Sequence, residues 1–224
     1  MLLAVDTSTQ QIGLALYDGV SVIVEDIWYS QNHHTKELSP AIYRLFTKCG
    51  IEPRDLTSLA VAIGPGSFTG LRIGLSVIKG MALFLHIPVV GIPTLDILAA
   101  AQPLQEIPLV ALLRAGRGRL AACWYDADFR IRKWKSQGKY HVLQAEELSQ
   151  LVNTPTLIYG ELNGLERQIL ERKKTNILLG TPAQSIRRPS YLAEIAWEKI
   201  KNHQLDDINS LTPVYLHTMG IKPA

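Results

Sequence analysis

The chain has 224 residues, 47% hydrophobic and 19% charged, which is enough for the core of one large or two small domains and too apolar for intrinsic disorder. Its 23 Lys and Arg against 20 Asp and Glu leave a net charge of +3; this excludes a surface basic all over, although residues 104–224 alone carry net +5. Cys49 and Cys123 lie in unlike contexts and exclude a disulfide framework or zinc cluster, Met1–Asp6 lacks the basic start of a signal peptide, and no unbroken apolar run reaches the ~20 residues of a membrane span.

The chain opens with predicted strands at Leu2–Val5, Ile12–Tyr17 and Val20–Trp28, the last two joined by a tight turn at Asp18-Gly19. Thr35 is placed to cap a helix in which Leu38, Ala41, Ile42, Leu45 and Phe46 recur at helical spacing, and Gly50 closes it. A buried strand, Leu59–Ile63, runs into Gly64-Pro65-Gly66-Ser67-Phe68-Thr69-Gly70 and a second helix, Thr69–Leu85. A strand at Pro88–Gly91 and a helix at Thr94–Ala101 complete a βββαβαβα order, and Gln102-Pro103 reads as a hinge. Strands at Pro108–Leu113, Arg119–Tyr125 and Phe129–Trp134 then repeat the opening, with Asp126-Ala127-Asp128 as a turn. Helix, strand, helix and strand follow at Glu146–Leu151, Thr156–Gly160, Leu162–Lys173 and Asn176–Leu179, and a last helix spans Ser190–Asn202. The reading is α/β with two related lobes, residues 1–103 and 104–224, the last helix or tail being free to return to the first lobe.

Asp6-Thr7-Ser8-Thr9 puts a carboxylate and three hydroxyls on a tight hairpin. Such a group can hold a phosphate or a hydrated divalent cation, or it can simply satisfy the turn's backbone. The glycine-rich turn after residue 63 is no Walker loop, because no Lys-Ser/Thr follows the glycines. It is no dinucleotide fingerprint and no nucleophile elbow either. Its permissive backbone and helix-start N–H groups suit an anion or a sharp turn equally. The helix it feeds is apolar around its whole circumference and must be covered on all sides. One side faces its own sheet; the other is covered by the Thr35–Phe46 helix or by a second chain. Gly70 and Gly74, one turn apart, admit close approach there. His33-His34, His86, His141, His203 and His217 have no metal-binding spacing. The basic stretch from Arg114 to Lys139 suits a solvated strand face or a phosphate-contacting patch.

Leu3-Ala4-Val5-Asp6-Thr7-Ser8, followed some sixty residues on by Gly64-Pro65-Gly66-Ser67-Phe68-Thr69-Gly70-Leu71-Arg72-Ile73-Gly74, resembles the bacterial TsaB (YeaZ) family. His34, Pro40 and Pro213-Val214-Tyr215-Leu216 strengthen the likeness. It implies the actin-like ATPase (sugar kinase/Hsp70/actin) fold, two lobes each with a βββαβα-type core. It also implies a cytoplasmic, non-catalytic subunit of the complex that forms N6-threonylcarbamoyladenosine at position 37 of ANN-decoding tRNAs. The partners implied are a TsaD-like catalytic subunit, a TsaE-like ATPase, tRNA through the assembled complex, and a second copy of the chain when the catalytic partner is absent, with no membrane, metal, catalytic residue or cofactor. The sequence departs from the catalytic relative in lacking its His-x-x-x-His pair. Tyr159-Gly160-Glu161-Leu162-Asn163-Gly164 stands where that relative has an adenosine-binding Gly-Gly, and Leu113-Arg114-Ala115-Gly116-Arg117 lacks the acid usual in the family. On this reading Leu38, Ile42, Leu45, Gly70, Ile73, Gly74, Val77 and Met81 form an interhelical interface, and Asp6, Thr7 and Ser8 are a vestigial phosphate loop. The rival is an active ATPase or kinase of the same fold with Asp6 near a metal-nucleotide.

Overall fold

The computed structural model describes residues 1–31, 33–173 and 175–216. The chain forms two compact units, one of Met1–Ile97 with Arg188–Tyr215, the other of Leu98–Arg187. In the first, β1 (Leu2–Asp6), β2 (Gln11–Tyr17), β3 (Val22–Tyr29), β4 (Ser58–Gly64) and β5 (Val89–Pro93) form one sheet in the order β3-β2-β1-β4-β5. β1 runs antiparallel to β2 and parallel to β4. Helices α1 (His34–Cys49), α2 (Phe68–Leu85) and α3 (Thr94–Ala100) lie between the strands in sequence. The second unit carries β6 (Leu109–Gly116), β7 (Arg119–Asp128), β8 (Lys133–Leu143), α4 (Ala145–Leu151), β9 (Thr156–Gly160), α5 (Gly164–Glu171) and β10 (Ile177–Leu179). Its sheet, read from the far edge, is β8-β7-β6-β9-β10. The same strand order is thus built twice from the same βββαβ succession, which is the duplicated core of the actin-like ATPase fold.

Both faces of the first sheet are covered at its centre, so β1 and β4 read as apolar runs rather than alternations; β1 is buried at every position. Leu3, Val5, Ile12, Leu14, Leu16, Leu59 and Val61 pack with α1 and α2 on one face. The opposite face presents Ala4, Ala15, Ala60 and Ala62 to Ala193 and Ala196 of α6 (Pro189–Lys201). Small side chains on both sides let this last helix sit close on the strands. The helix therefore belongs with residues 1–97, although the whole of Leu98–Arg187 separates the two in sequence.

Glu25 of β3 ties α6 down: Arg188 donates to it from Nε and Nη2 at 2.9 and 2.6 Å, and the Ser190 N–H at 3.0 Å. Burial pushes the Glu25 carboxyl up, but the Arg188 and Ser190 hydrogen bonds together outweigh it and leave the group below its ordinary value. A carboxyl depressed by folding stabilises the fold above its unfolded pKa, near 4.3, and that contribution is lost as pH falls through the lower folded value. Urea midpoints measured from pH 6 down to pH 3 should therefore show a loss that Glu25→Gln flattens; parallel curves for both proteins would remove Glu25 as the anchor.

Two local expectations are corrected. Thr35 does not cap α1; the helix starts one residue earlier, after His33, and buried His34 is its first residue, its Nε2 donating to the Thr9 carbonyl at 2.8 Å. Asp126-Ala127-Asp128 is not the turn between β7 and β8. Asp126 lies within β7, where Gln137 of β8 donates to it across the hairpin. Asp128 ends the strand by accepting the N–H groups of Arg130 and Ile131, and the turn is Phe129-Arg130-Ile131-Arg132, closed by Arg132 at φ 55°.

Candidate functional site

The hairpin after β1 and the start of α2 interlock. Asp6 is 2% exposed, and Thr7 and Ser8 are fully buried. Asp6 Oδ1 accepts both the backbone N–H of Ser8, at 2.8 Å, and its hydroxyl. Thr7 Oγ1 donates to the Gly70 carbonyl at 2.8 Å. The N–H of Ser67 donates to the Ser8 carbonyl at 2.6 Å, and Ser67 Oγ caps α2 by accepting from the Gly70 N–H. Of the donors at this helix start, the Ser67 and Gly70 N–H groups are therefore taken up within the chain. A phosphate or hydrated cation would have to displace these bonds to reach Asp6. Among the described residues no three His, Cys, Asp or Glu side chains gather as a metal site requires; His217 lies outside them.

The glycines expected to admit a second helix instead admit this hairpin. A Cβ at Gly70 would stand 2.2 Å from the Thr7 carbonyl oxygen, one at Gly74 2.2 Å from Thr7 Oγ1, and one at Gly66 2.3 Å from the Ser8 carbonyl oxygen. Three glycines spaced four residues apart thus let the turn and the start of α2 lie directly on the Thr7-Ser8 hairpin, on its backbone at Gly66 and Gly70 and on the Thr7 side chain at Gly74. Leu38, Ile42 and Leu45 are likewise buried in the core of their own unit. Ile73, Val77 and Met81 are only partly covered by that core. Together with Ser76, Gly80, Leu83 and Phe84 they turn outward, with Leu83 62% and Phe84 82% exposed. A Cβ on Gly80 meets nothing within 4 Å. Ser76 and Gly80, one turn apart, are thus the small exposed residues on the outer side of α2. By length and composition α2 is also apolar enough to cross a membrane, with a third of it buried.

The C-terminal motif serves the same turn. The Val214 N–H donates to the Ile63 carbonyl at 2.7 Å. Tyr215 stacks on Phe68 with centroids 4.9 Å apart, and its hydroxyl accepts from Arg72 Nε at 2.9 Å. Arg72 lies over the Phe68 ring at 3.6 Å. This clasp joins residues 143 positions apart, so no local pattern in the sequence pointed to it.

In the second unit, the segment standing in the adenosine-motif position is committed elsewhere. Gly160 is needed because a Cβ there would overlap the Leu112 carbonyl. Glu161 pairs with Arg187, whose side chain is 1% exposed. Asn163 caps α5 in a reciprocal box with Glu166. The basic stretch is split: Arg114 and Arg117 lie at the β6–β7 turn, and Arg130, Arg132 and Lys133 at the other end of β7.

The family model of TsaD, tRNA N6-adenosine threonylcarbamoyltransferase, matches residues 24–153. The chain is 33% identical over 218 residues to the tRNA threonylcarbamoyladenosine biosynthesis protein TsaB of Bacillus subtilis, covering 96% of this chain and 93% of that protein. This chain belongs to the TsaB family. The TsaB protein of Haemophilus influenzae is 37% identical over 229 residues, covering 96% and 92% of the two chains. The solved structure of YeaZ from Pseudomonas aeruginosa superposes with a TM-score of 0.78 at 23% identity, covering 96% of this chain and 99% of that one. That likeness extends the TsaB-family fold to both units. The interlocked Asp6 hairpin and the outward face of α2 are thus features of a TsaB-family chain.

Proposed function

We propose that this chain is the non-catalytic scaffold subunit of a bacterial complex that forms N6-threonylcarbamoyladenosine on tRNA, acting in the cytoplasm. It pairs with a TsaD-like catalytic subunit and works beside a TsaE-like ATPase. The observation that carries this reading is the outer face of α2, where Ile73, Val77, Leu83 and Phe84 surround the small residues Ser76 and Gly80. An apolar helix face of this kind is an interaction surface, and the relatives bear the name of a tRNA threonylcarbamoyladenosine biosynthesis protein. With the catalytic partner absent, the same face closes on a second copy about a two-fold axis. The closed hairpin around Asp6 supports the absence of nucleotide chemistry in this subunit, because its carboxylate is buried and held by Ser8.

The purified chain is expected to hydrolyse no ATP and to modify no tRNA by itself. Mixed with the TsaD-like subunit of the same cell, it should elute as a complex larger than either protein. Steady ATP hydrolysis that disappears in a folded Asp6→Ala protein would assign an ATPase or kinase instead.

A further inference from the structure

The β7–β8 hairpin carries six cations, Arg119, Arg130, Arg132, Lys133, Lys135 and Lys139, against Asp126 and Asp128. Its net +4 is most of the net +5 of residues 98–187. At its tip two large apolar side chains stand between the cations: Phe129 is 55% exposed and Ile131 51%. A turn built for stability alone would be polar here, because apolar groups left in water gain nothing from folding. Beside Phe129 a cavity of about 540 Å³ is lined by Gln102, Leu104, Phe129 and Arg132. Its lining residue Gln102 is fixed: the side-chain amide donates to the Leu98 and Gln184 carbonyls, and the backbone carbonyl accepts from the Trp134 indole at 3.1 Å. The cleft is therefore preformed, of small-ligand size, and walled by an aromatic ring and a guanidinium.

We propose that this tip is a contact site for unpaired RNA, with Phe129 stacking on a base in the cleft and Arg130 and Arg132 holding the flanking phosphates. Aromatic faces take any base, and cations beside them follow the backbone, which is how single-stranded nucleic acid is bound. An anionic membrane would also attract the charge and accept Phe129 and Ile131. A flat bilayer makes no use of a cleft lined by Gln102 and Arg132 beside Phe129, so RNA is the occupant that fits. The proposal rests on the tRNA-modifying role above and gives this subunit a direct part in holding the substrate.

The test uses the full chain in complex with its TsaD-like partner, and three probes: an unmodified tRNA transcript, a perfectly paired RNA duplex of equal charge, and phosphatidylglycerol vesicles. Phe129→Ala should weaken tRNA binding on the order of tenfold, leaving duplex binding and the salt slope unchanged. Arg130→Gln with Arg132→Gln should lower the slope of log K against log[salt] by about 1.5. All three side chains are exposed, so the variants should fold and still join the partner, as sizing and circular dichroism would show. If both variants bound tRNA like the wild type, the site would be refuted and the scaffold reading would stand. Vesicle binding lost in Phe129→Ala, with tRNA binding unchanged, would reassign the tip to a membrane. A wild-type complex that bound no tRNA would overturn this site and the proposed function together.

Discussion

Gly80→Glu is expected to leave the chain folded and to abolish its pairing, both with a TsaD-like subunit and with itself. At this position a Cβ meets nothing within 4 Å, so the lobe has no reason to shift. Replacing an interior helical glycine by a better helix former should even add about 0.5–1 kcal/mol. In the pair, the same side chain would place an uncompensated carboxylate between two apolar helices. Burying an unpaired charge costs about 3–5 kcal/mol, a loss of more than about a hundredfold in affinity. Sedimentation velocity and thermal melting on the same samples separate the two effects. A Gly80→Glu protein with an unchanged melt that still paired at wild-type affinity would move the interface off α2.

The opposite result is expected six and ten residues earlier on the same helix. Gly70→Ala and Gly74→Ala should destabilise the chain outright, because the added methyl group lands on the Thr7 carbonyl oxygen or on Thr7 Oγ1 at 2.2 Å. At Gly70 the obstacle is backbone, held by the Ser67–Ser8 hydrogen bond and by the register of β1. It cannot rotate aside as a flexible side chain would. Overpacking of this kind costs typically 1–3 kcal/mol, and rigid surroundings put it at the upper end, about 3 kcal/mol. For a chain of this size that is a fall in melting temperature of about 10 °C. A Gly70→Ala protein that melted with the wild type would mean that α2 does not lie on the hairpin at this distance.

These two glycine sets show what the sequence conveys and what it withholds. Apolar residues all round residues 69–85 indicate a helix covered on every side, and glycines one turn apart indicate close approach. Neither pattern names the neighbour. For Gly70 and Gly74 the neighbour is Thr7, more than sixty residues away, and only the pairing of β1 with β4 brings it there. Gly80 carried no signal in the sequence, because open space is not written in residue types. The two-lobe architecture was readable from the repeated meander and from helical periodicity. The return of α6 to the first sheet was not, since it depends on an alanine face assembled from β1, β2 and β4 together. The β7–β8 turn was misplaced because Asp126-Ala127-Asp128 has turn composition, while the real turn is Phe129-Arg130-Ile131-Arg132. That disagreement between composition and structure falls at the tip assigned to RNA, where solvent exposure of apolar groups has a use.

The most direct measurement of the scaffold account is the initial rate of threonylcarbamoyladenosine formation on a tRNA transcript in a reconstituted reaction. The TsaD-like subunit, the TsaE-like ATPase and threonylcarbamoyl-adenylate are held constant. Wild-type chain, no chain, or the Gly80→Glu protein is added in turn. Modification is expected with the wild type, none without the chain, and none with folded Gly80→Glu, since a scaffold that cannot pair cannot act. Modification by this chain with the TsaD-like subunit left out, or a wild-type rate with Gly80→Glu, would contradict the scaffold role.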